Sequence, residues 1–254
     1  MSDQQRQAIL ANPQGAFQHA ISLMQKGQLP QALAFCQTLL TVHPDLINAW
    51  VLCSQIALQM RREDEALSFA RQAFERAPEH TKAQLQLADC LIECGEMSEA
   101  LSILAALEAS AQSDALIAVL AGNMYVKADH YTGACESFKR AVTLKNNDVE
   151  AWYLYSGALA GLGNIDAAGE ALDKVLSLDP HHYQTLLSRA QLNTKTPDNN
   201  HVDSLLELLP KIRSSEGEVL VCYALAKELE DLERYEESFQ YLKRGADLND
   251  KLLN

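Results

Sequence analysis

The sequence predicts an all-α protein, a stack of copied helical hairpins of the α-solenoid class, from three observations. Five alanines, Ala32, Ala66, Ala100, Ala134 and Ala168, stand 34 residues apart. A second column of small residues, Ala20, Ser54, Ala88, Gly122, Ser156 and Ala190, keeps the same step. Gly27, Gly95 and Gly163 recur at every second step. A fixed period of this size marks one structural unit copied and stacked.

Counted from residues 13, 47, 81, 115 and 149, each unit holds two helical stretches joined by a short turn. In the first stretch the fourth, seventh, eighth and eleventh places are apolar or small, as in Trp50, Cys53, Ser54 and Ala57, or Trp152, Tyr155, Ser156 and Leu159. Spacings of three and four put these residues on one face of an α-helix. The glycines fall at the fifteenth place, where a helix C-terminus calls for a left-handed backbone. A second helix follows with the alanine column and then apolar residues, such as Phe138 and Ala141 after Ala134. Pro44, Pro78 and Pro180 close three of the units, where proline stops one helix before the next starts. The small columns let the two antiparallel helices of a hairpin approach closely; a leucine there would force them apart.

The 34-residue hairpin with Trp, small, Tyr/Leu, Gly, Ala, Phe/Leu, Ala and Pro in this order resembles the tetratricopeptide repeat. That resemblance covers about residues 13–182 and implies a right-handed superhelix, non-enzymatic, that binds protein partners on its concave side. Units three and four, ending at Gln112 and Asn146, lack the closing proline. About seven repeats are expected: a short N-terminal extension over 1–12, five regular units over 13–182, a degenerate sixth over 183–218, and a seventh with the C-terminal end over 219–254. The sixth keeps Leu186 and Ala190, but Arg189 and Asn193 stand where apolar residues belong. Its turn is the polar run Thr196-Pro197-Asp198-Asn199-Asn200, and its second helix is expected over about 201–212. The seventh returns two residues late with Leu225, Ala226, Leu229, Tyr235, Ser238, Leu242 and Gly245. The sixth is the expected soft point, because stability in such arrays sums over units and their neighbours.

Composition narrows the function. The chain is 48% apolar and 22% charged, as folded soluble proteins are. A net charge of −13 opposes binding to a phosphate backbone, so nucleic acid is not an expected partner. No signal-length or membrane-spanning apolar run is present, so no membrane insertion is expected. Cys36, Cys53, Cys90, Cys94, Cys135 and Cys222 are scattered and read as reduced thiols of a cytoplasmic protein.

No catalytic, cofactor or metal site is expected. Cys90 and Cys94 would need two further ligands to hold a metal, and no histidine is near in sequence. His181-His182 reads as a solvated turn. Gly157, Gly161 and Gly163 lack the Gly-Lys-Ser/Thr ending of a phosphate loop and fall in a helix and its turn.

The candidate site is a peptide-binding groove. Within a unit the second, fifth, ninth, twelfth and thirteenth places share the face opposite the packing within the hairpin. The fifth place reads Phe17, Val51, Leu85, Val119, Tyr153, Leu187 and Tyr223, all apolar or aromatic. The ninth reads Ile21, Gln55, Asp89, Asn123, Gly157, Gln191 and Lys227, mostly polar. An extended or helical segment could lay side chains on the first row and satisfy its backbone on the second. Alternatively, the apolar row packs only against adjacent first helices. The resemblance implies two sharper ligands, and the chain matches neither. The chaperone-tail clamp needs Lys at the fifth place and Asn at the ninth, and Asn123 is paired here with Val119. The asparagine ladder of the sugar-transferase members is replaced by Gln18, Leu52, Gln86, Leu120, Leu154, Ser188 and Ala224.

At the C-terminal end Phe239, Leu242, Leu248, Leu252 and Leu253 are expected to lack cover, so that a partner docks there or another domain follows. The run Tyr223–Leu232 with Tyr235–Phe239 resembles the repeat preceding the catalytic domain of bacterial tetratricopeptide-repeat sulfotransferases. That likeness implies a recognition module whose catalytic domain lies outside this chain.

Overall fold

The computed structural model describes residues 12–253. Apart from Asn12, the expected N-terminal extension lies outside the described residues. The chain forms two compact units, Met1–His130 and Tyr131–Asn254.

The first unit contains α1 (Pro13–Gln25), α2 (Leu29–Val42), α3 (Ile47–Gln59), α4 (Glu63–Arg76), α5 (Thr81–Glu93), α6 (Met97–Ser110) and α7 (Ala115–Lys127). The second contains α8 (Tyr131–Leu144), α9 (Val149–Gly161), α10 (Ile165–Leu178), α11 (Tyr183–Leu192), α12 (Val202–Leu208), a 3-10 turn (Leu209–Lys211), α13 (Ser215–Asp231) and α14 (Tyr235–Leu253). The described residues form no named strand; Thr196 and Asn199 make one isolated bridge. The architecture is all-α, an α-solenoid of helix–turn–helix repeats.

The period of 34 is visible in the backbone: first helices start at Pro13, Ile47, Thr81, Ala115 and Val149. Side-chain caps fix several of these starts. Asp114 accepts the N–H groups of Leu116 (2.9 Å) and Ile117 (3.2 Å), and Asp148 accepts that of Ala151 at 3.1 Å. Ser214 caps α13 by accepting Gly217 N–H at 3.2 Å, so this helix begins at Ser215 rather than near residue 219.

The alanine column is fully buried: Ala32, Ala66, Ala100, Ala134 and Ala168 are each 0% exposed. In the seventh hairpin the column holds Ser238, whose hydroxyl is satisfied by donating to Ala226 O at 2.7 Å. Phe138, Leu104 and Leu172, among the largest fully buried side chains, lie four residues after the column. Each such burial stabilises the fold by about 2 kcal/mol.

The fifteenth place is left-handed in every hairpin but one. Gly27, Gly95 and Gly163 have φ of 73°, 79° and 78°. Arg61, Asp129 and Glu233 take the same conformation at 58°, 53° and 59°, although no glycine relieves the strain there. In each case the next N–H reaches back to the carbonyl five residues earlier, as Arg62 does to Ala57 and Arg234 to Leu229, both at 2.9 Å. In the sixth hairpin the corresponding residue is Pro197, whose ring locks φ negative. That corner is therefore rebuilt. Thr196 and Asn199 exchange backbone hydrogen bonds at 3.3 and 3.0 Å, and Asn200 Nδ2 donates to Thr196 O and Pro197 O. The helix that follows is short, seven residues of α12 tightening into the 3-10 turn, close to the expected 201–212.

The last helix carries an apolar stripe in solvent. Tyr235, Phe239, Leu242 and Leu253 are 63, 65, 49 and 78% exposed, and Leu252 is 45% exposed, while Leu248 is half-buried. At the place of Leu242 the second helices of the first five hairpins hold Cys36, Ala70, Leu104, Phe138 and Leu172, all at most 2% exposed.

Candidate functional site

In the first unit, α1, α3, α5 and α7 together line a groove of about 650 Å³. Its apolar wall is Phe17, Val51 and Leu85 at the fifth place, with Ile21 and Met24 from α1. Gln55 and Asp89 supply the ninth place, and Gln14, Asn48 and Lys82 the second. Thus Phe17, Ile21, Val51, Gln55, Leu85 and Asp89 are brought to one surface. Val51 is only 4% exposed and acts as a floor; Phe17 and Leu85 are half-buried and Gln55 is exposed.

The fourth hairpin contributes differently from the sequence expectation. Leu120 and Met124 line the groove, and Val119 and Asn123, half-buried, do not. A shift of one residue turns the helix by about 100°, which exchanges Val119 and the polar Asn123 for the wholly apolar pair Leu120 and Met124. Two methionines, Met24 and Met124, give the walls adaptable side chains.

The electrostatics are nearly neutral. Lys127 bonds the Asp89 carboxylate and also Glu93 Oε1 at 2.6 Å. Burial opposes the Lys127 charge, but these two carboxylates outweigh it and hold the ammonium above its ordinary range. Glu93 is held below its ordinary value by the same lysine. Gln86 Nε2 donates to Ser54 Oγ at 3.0 Å beneath the groove, satisfying a buried hydroxyl that itself lies 3.1 Å from Cys90 Sγ. Burial pushes the Cys90 thiol up, away from the thiolate a reactive cysteine requires.

The second unit treats its share of the predicted wall otherwise. Leu187, 9% exposed, belongs to the core with Leu205, Val221 and Leu225. Tyr223 packs against α14, so closely that a Cβ on Gly245 would sit 2.7 Å from its Cε1. Tyr153 is held by its hydroxyl, 3.0 Å from Ser188 Oγ, and by its ring, 5.3 Å from that of His182. Lys227 is paired with Asp231 at 2.5 Å. Gln191 and Gly157 are exposed. These residues do not gather into one groove; Leu187 and Tyr223 are spent on packing.

Sequence reasoning did not single out a buried polar network in this unit. Glu228, 1% exposed, accepts both the His201 N–H (2.5 Å) and a contact from His201 Nδ1 (2.9 Å). Lys195, 5% exposed, donates its N–H to Asp231 Oδ2 at 3.0 Å and its Nζ to Asn193 Oδ1 at 2.6 Å. Burial lowers the Lys195 ammonium from its ordinary range against the pull of Glu228. Nor did it find a second cleft, of about 510 Å³, between α8, α9 and α10. The one available signal was Trp152, read only as a packing residue.

Five cysteines are buried and Cys94 is half-buried, all as free thiols. Among the described residues no group of three His, Cys, Asp or Glu is placed to hold a metal ion, and no helix is long and apolar enough to cross a membrane. Gly161 leaves room for the Tyr131 ring and Gly163 makes the left-handed corner, so one glycine has a steric and the other a conformational role.

Tetratricopeptide-repeat models match residues 57–122 and 125–190, and a second such model matches 219–252. The chain therefore belongs to the tetratricopeptide-repeat family. No curated protein matches it in sequence. Among solved structures it is similar to a tetratricopeptide repeat protein from Parabacteroides merdae, with 14% identity, 92% of each chain covered and a TM-score of 0.59. It is similar also to pilF of Pseudomonas aeruginosa, with 15% identity, 89% of this chain and 95% of that one covered, and a TM-score of 0.57. MamA from Desulfovibrio magneticus RS-1, residues 41 to the end, shows 17% identity, covers 66% of this chain and 94% of its own, and has a TM-score of 0.53. At these identities the likeness is one of fold.

Proposed function

We propose that the protein is a non-catalytic interaction scaffold that holds a segment of a partner protein in the groove of its first unit. The carrying observation is the juxtaposition of Phe17 and Leu85, half-buried over the Val51 floor, with the polar side chains of Gln55, Asn48 and Gln14. Apolar walls with a few convergent polar groups are what a peptide site needs. Because Asp89 is already engaged by Lys127, the groove selects for shape and apolar surface before charge. The exposed stripe on α14 of the second unit supports docking there as well, on Phe239 and Leu242.

The test is capture from native extract by wild-type protein and by Phe17→Ala with Leu85→Asn, with helicity checked by far-UV circular dichroism. A partner retained by the wild type and lost by the double variant, but kept by Phe239→Ser, is the expected pattern. Equal capture by the groove variant removes the groove as the binding site. A second reading, a recognition module of a sulfotransferase-like enzyme, rests on the likeness of residues 223–239 and is decided by the coding sequence that follows.

A further inference from the structure

The two tryptophans hold the same place, the fourth, in the second and fifth hairpins. Both indoles are anchored alike: Trp50 Nε1–H donates to Pro44 O and Trp152 Nε1–H to Asn146 O, each at 2.8 Å. What lies on them differs. Trp50 is covered by Phe69, with ring centroids 6.1 Å apart, and by the Arg76 guanidinium 4.5 Å over its face. The corresponding residues in the fifth hairpin are Ala171 and Leu178. Tyr155 stands beside Trp152 at 6.1 Å, yet the cleft of about 510 Å³ between α8, α9 and α10 stays open. Trp152, Tyr155 and Leu159 line it together with Lys139, Lys174 and Glu170. Among the described residues neither lysine is held in an ion pair.

We propose that this cleft is a second binding site, taking an aromatic side chain of a partner segment followed by an acidic residue. The ring takes the place against Trp152 that Phe69 takes against Trp50, where offset or tilted aromatic packing adds to simple apolar burial. The neighbouring carboxylate is met by Lys139 and Lys174, two ammonium groups against the single carboxylate of Glu170. A cation in the manner of Arg76 would gain from the indole face but would meet both lysines. The site lies wholly in the second unit and stands or falls apart from the groove of the first.

The experiment uses the full chain with Trp50→Phe, which leaves Trp152 as the only tryptophan and its emission as the readout. The probe is the peptide acetyl-Gly-Phe-Asp-Gly-amide, compared with versions carrying Leu or Arg for Phe, or Asn for Asp. Saturable change in emission is expected with Phe-Asp, about tenfold weaker binding with Leu-Asp, and weaker, less salt-sensitive binding with Phe-Asn. Leu178→Arg, which copies the Arg76 cover onto Trp152 at a half-buried position, is expected to lower affinity about tenfold with helicity unchanged. No saturable change with Phe-Asp overturns the proposal. So does equal binding of Leu-Asp, tighter binding of the arginine peptide, or indifference to Leu178→Arg.

Discussion

In the second unit the fifth hairpin closes on Ser156 and Ala168, 4 and 0% exposed, and turns through a left-handed glycine. The sixth keeps Ala190 at 0% but turns at a proline, and its long corner is tied down by polar groups instead: His201 on Glu228, and Lys195 on Asp231. One hairpin is specified by the absence of side chain at a contact. The other is specified by hydrogen bonds whose every partner must be present. Small-residue packing tolerates change around it, whereas a buried charge network fails when one member is removed. The comparison teaches that a degenerate repeat can be a differently stabilised one.

The largest way to break the sixth hairpin is Glu228→Ala. It strips His201 of its acceptor and removes one of the two carboxylates, with Asp231, that compensate the buried Lys195 ammonium, at a cost of about 3 kcal/mol. Urea unfolding should show the loss. Amide exchange should accelerate over residues 193–231 and stay slow in α9 and α10. A change below about 1 kcal/mol would mean that apolar contacts alone hold the corner.

A smaller effect separates the two turns. Gly163→Ala meets no atom within 4 Å, so its expected cost of about 1 kcal/mol is backbone strain at φ of 78°. Pro197→Ala, at a corner that no longer uses that conformation, should change stability by under about 0.5 kcal/mol. In the opposite direction Glu233→Gly should stabilise by up to about 1 kcal/mol, because an existing left-handed strain is relieved. Thermal unfolding of the three variants under one condition checks the order.

The smallest effect is acid sensitivity. Burial would raise the Asp231 carboxyl, but the Lys227 ammonium and the Lys195 N–H outweigh it and hold it below its ordinary 3.8. Lys145 does the same for Asp148. A carboxylate lowered on folding contributes stability that is present above its unfolded value and lost as pH falls through the folded one. The melting temperature should therefore be flat from pH 7 to about 5 and decline below about 4. Asp231→Asn should flatten part of that decline; an unchanged acid limb would remove Asp231 from the account.

Much of the architecture was legible in the sequence because periodicity reports angles around a helix. The step of 34 placed the starts at Pro13, Ile47, Thr81, Ala115 and Val149, and the glycine column marked the left-handed corner. That Arg61 and Glu233 share this corner was not legible, since their side chains carry no preference for it; Asp129 carried a weak signal, because aspartate enters the left-handed region more readily than most residues. The groove was legible as a face but not in its detail. The turn of α7 that brings Leu120 and Met124 inward, and the packing that buries Leu187 and lays Tyr223 on Gly245, depend on contacts between helices that a single-helix pattern does not encode. Likewise Glu228 and His201 lie 27 residues apart in the chain and meet only once the sixth corner has folded.

The shared corner conformation has one more implication. Arginine, aspartate and glutamate accept the same backbone angles that glycine takes freely, so the direction in which a hairpin doubles back is imposed by the fit of its two helices. Mutational drift at that corner then alters how firmly a repeat shuts, without altering where its neighbour is pointed.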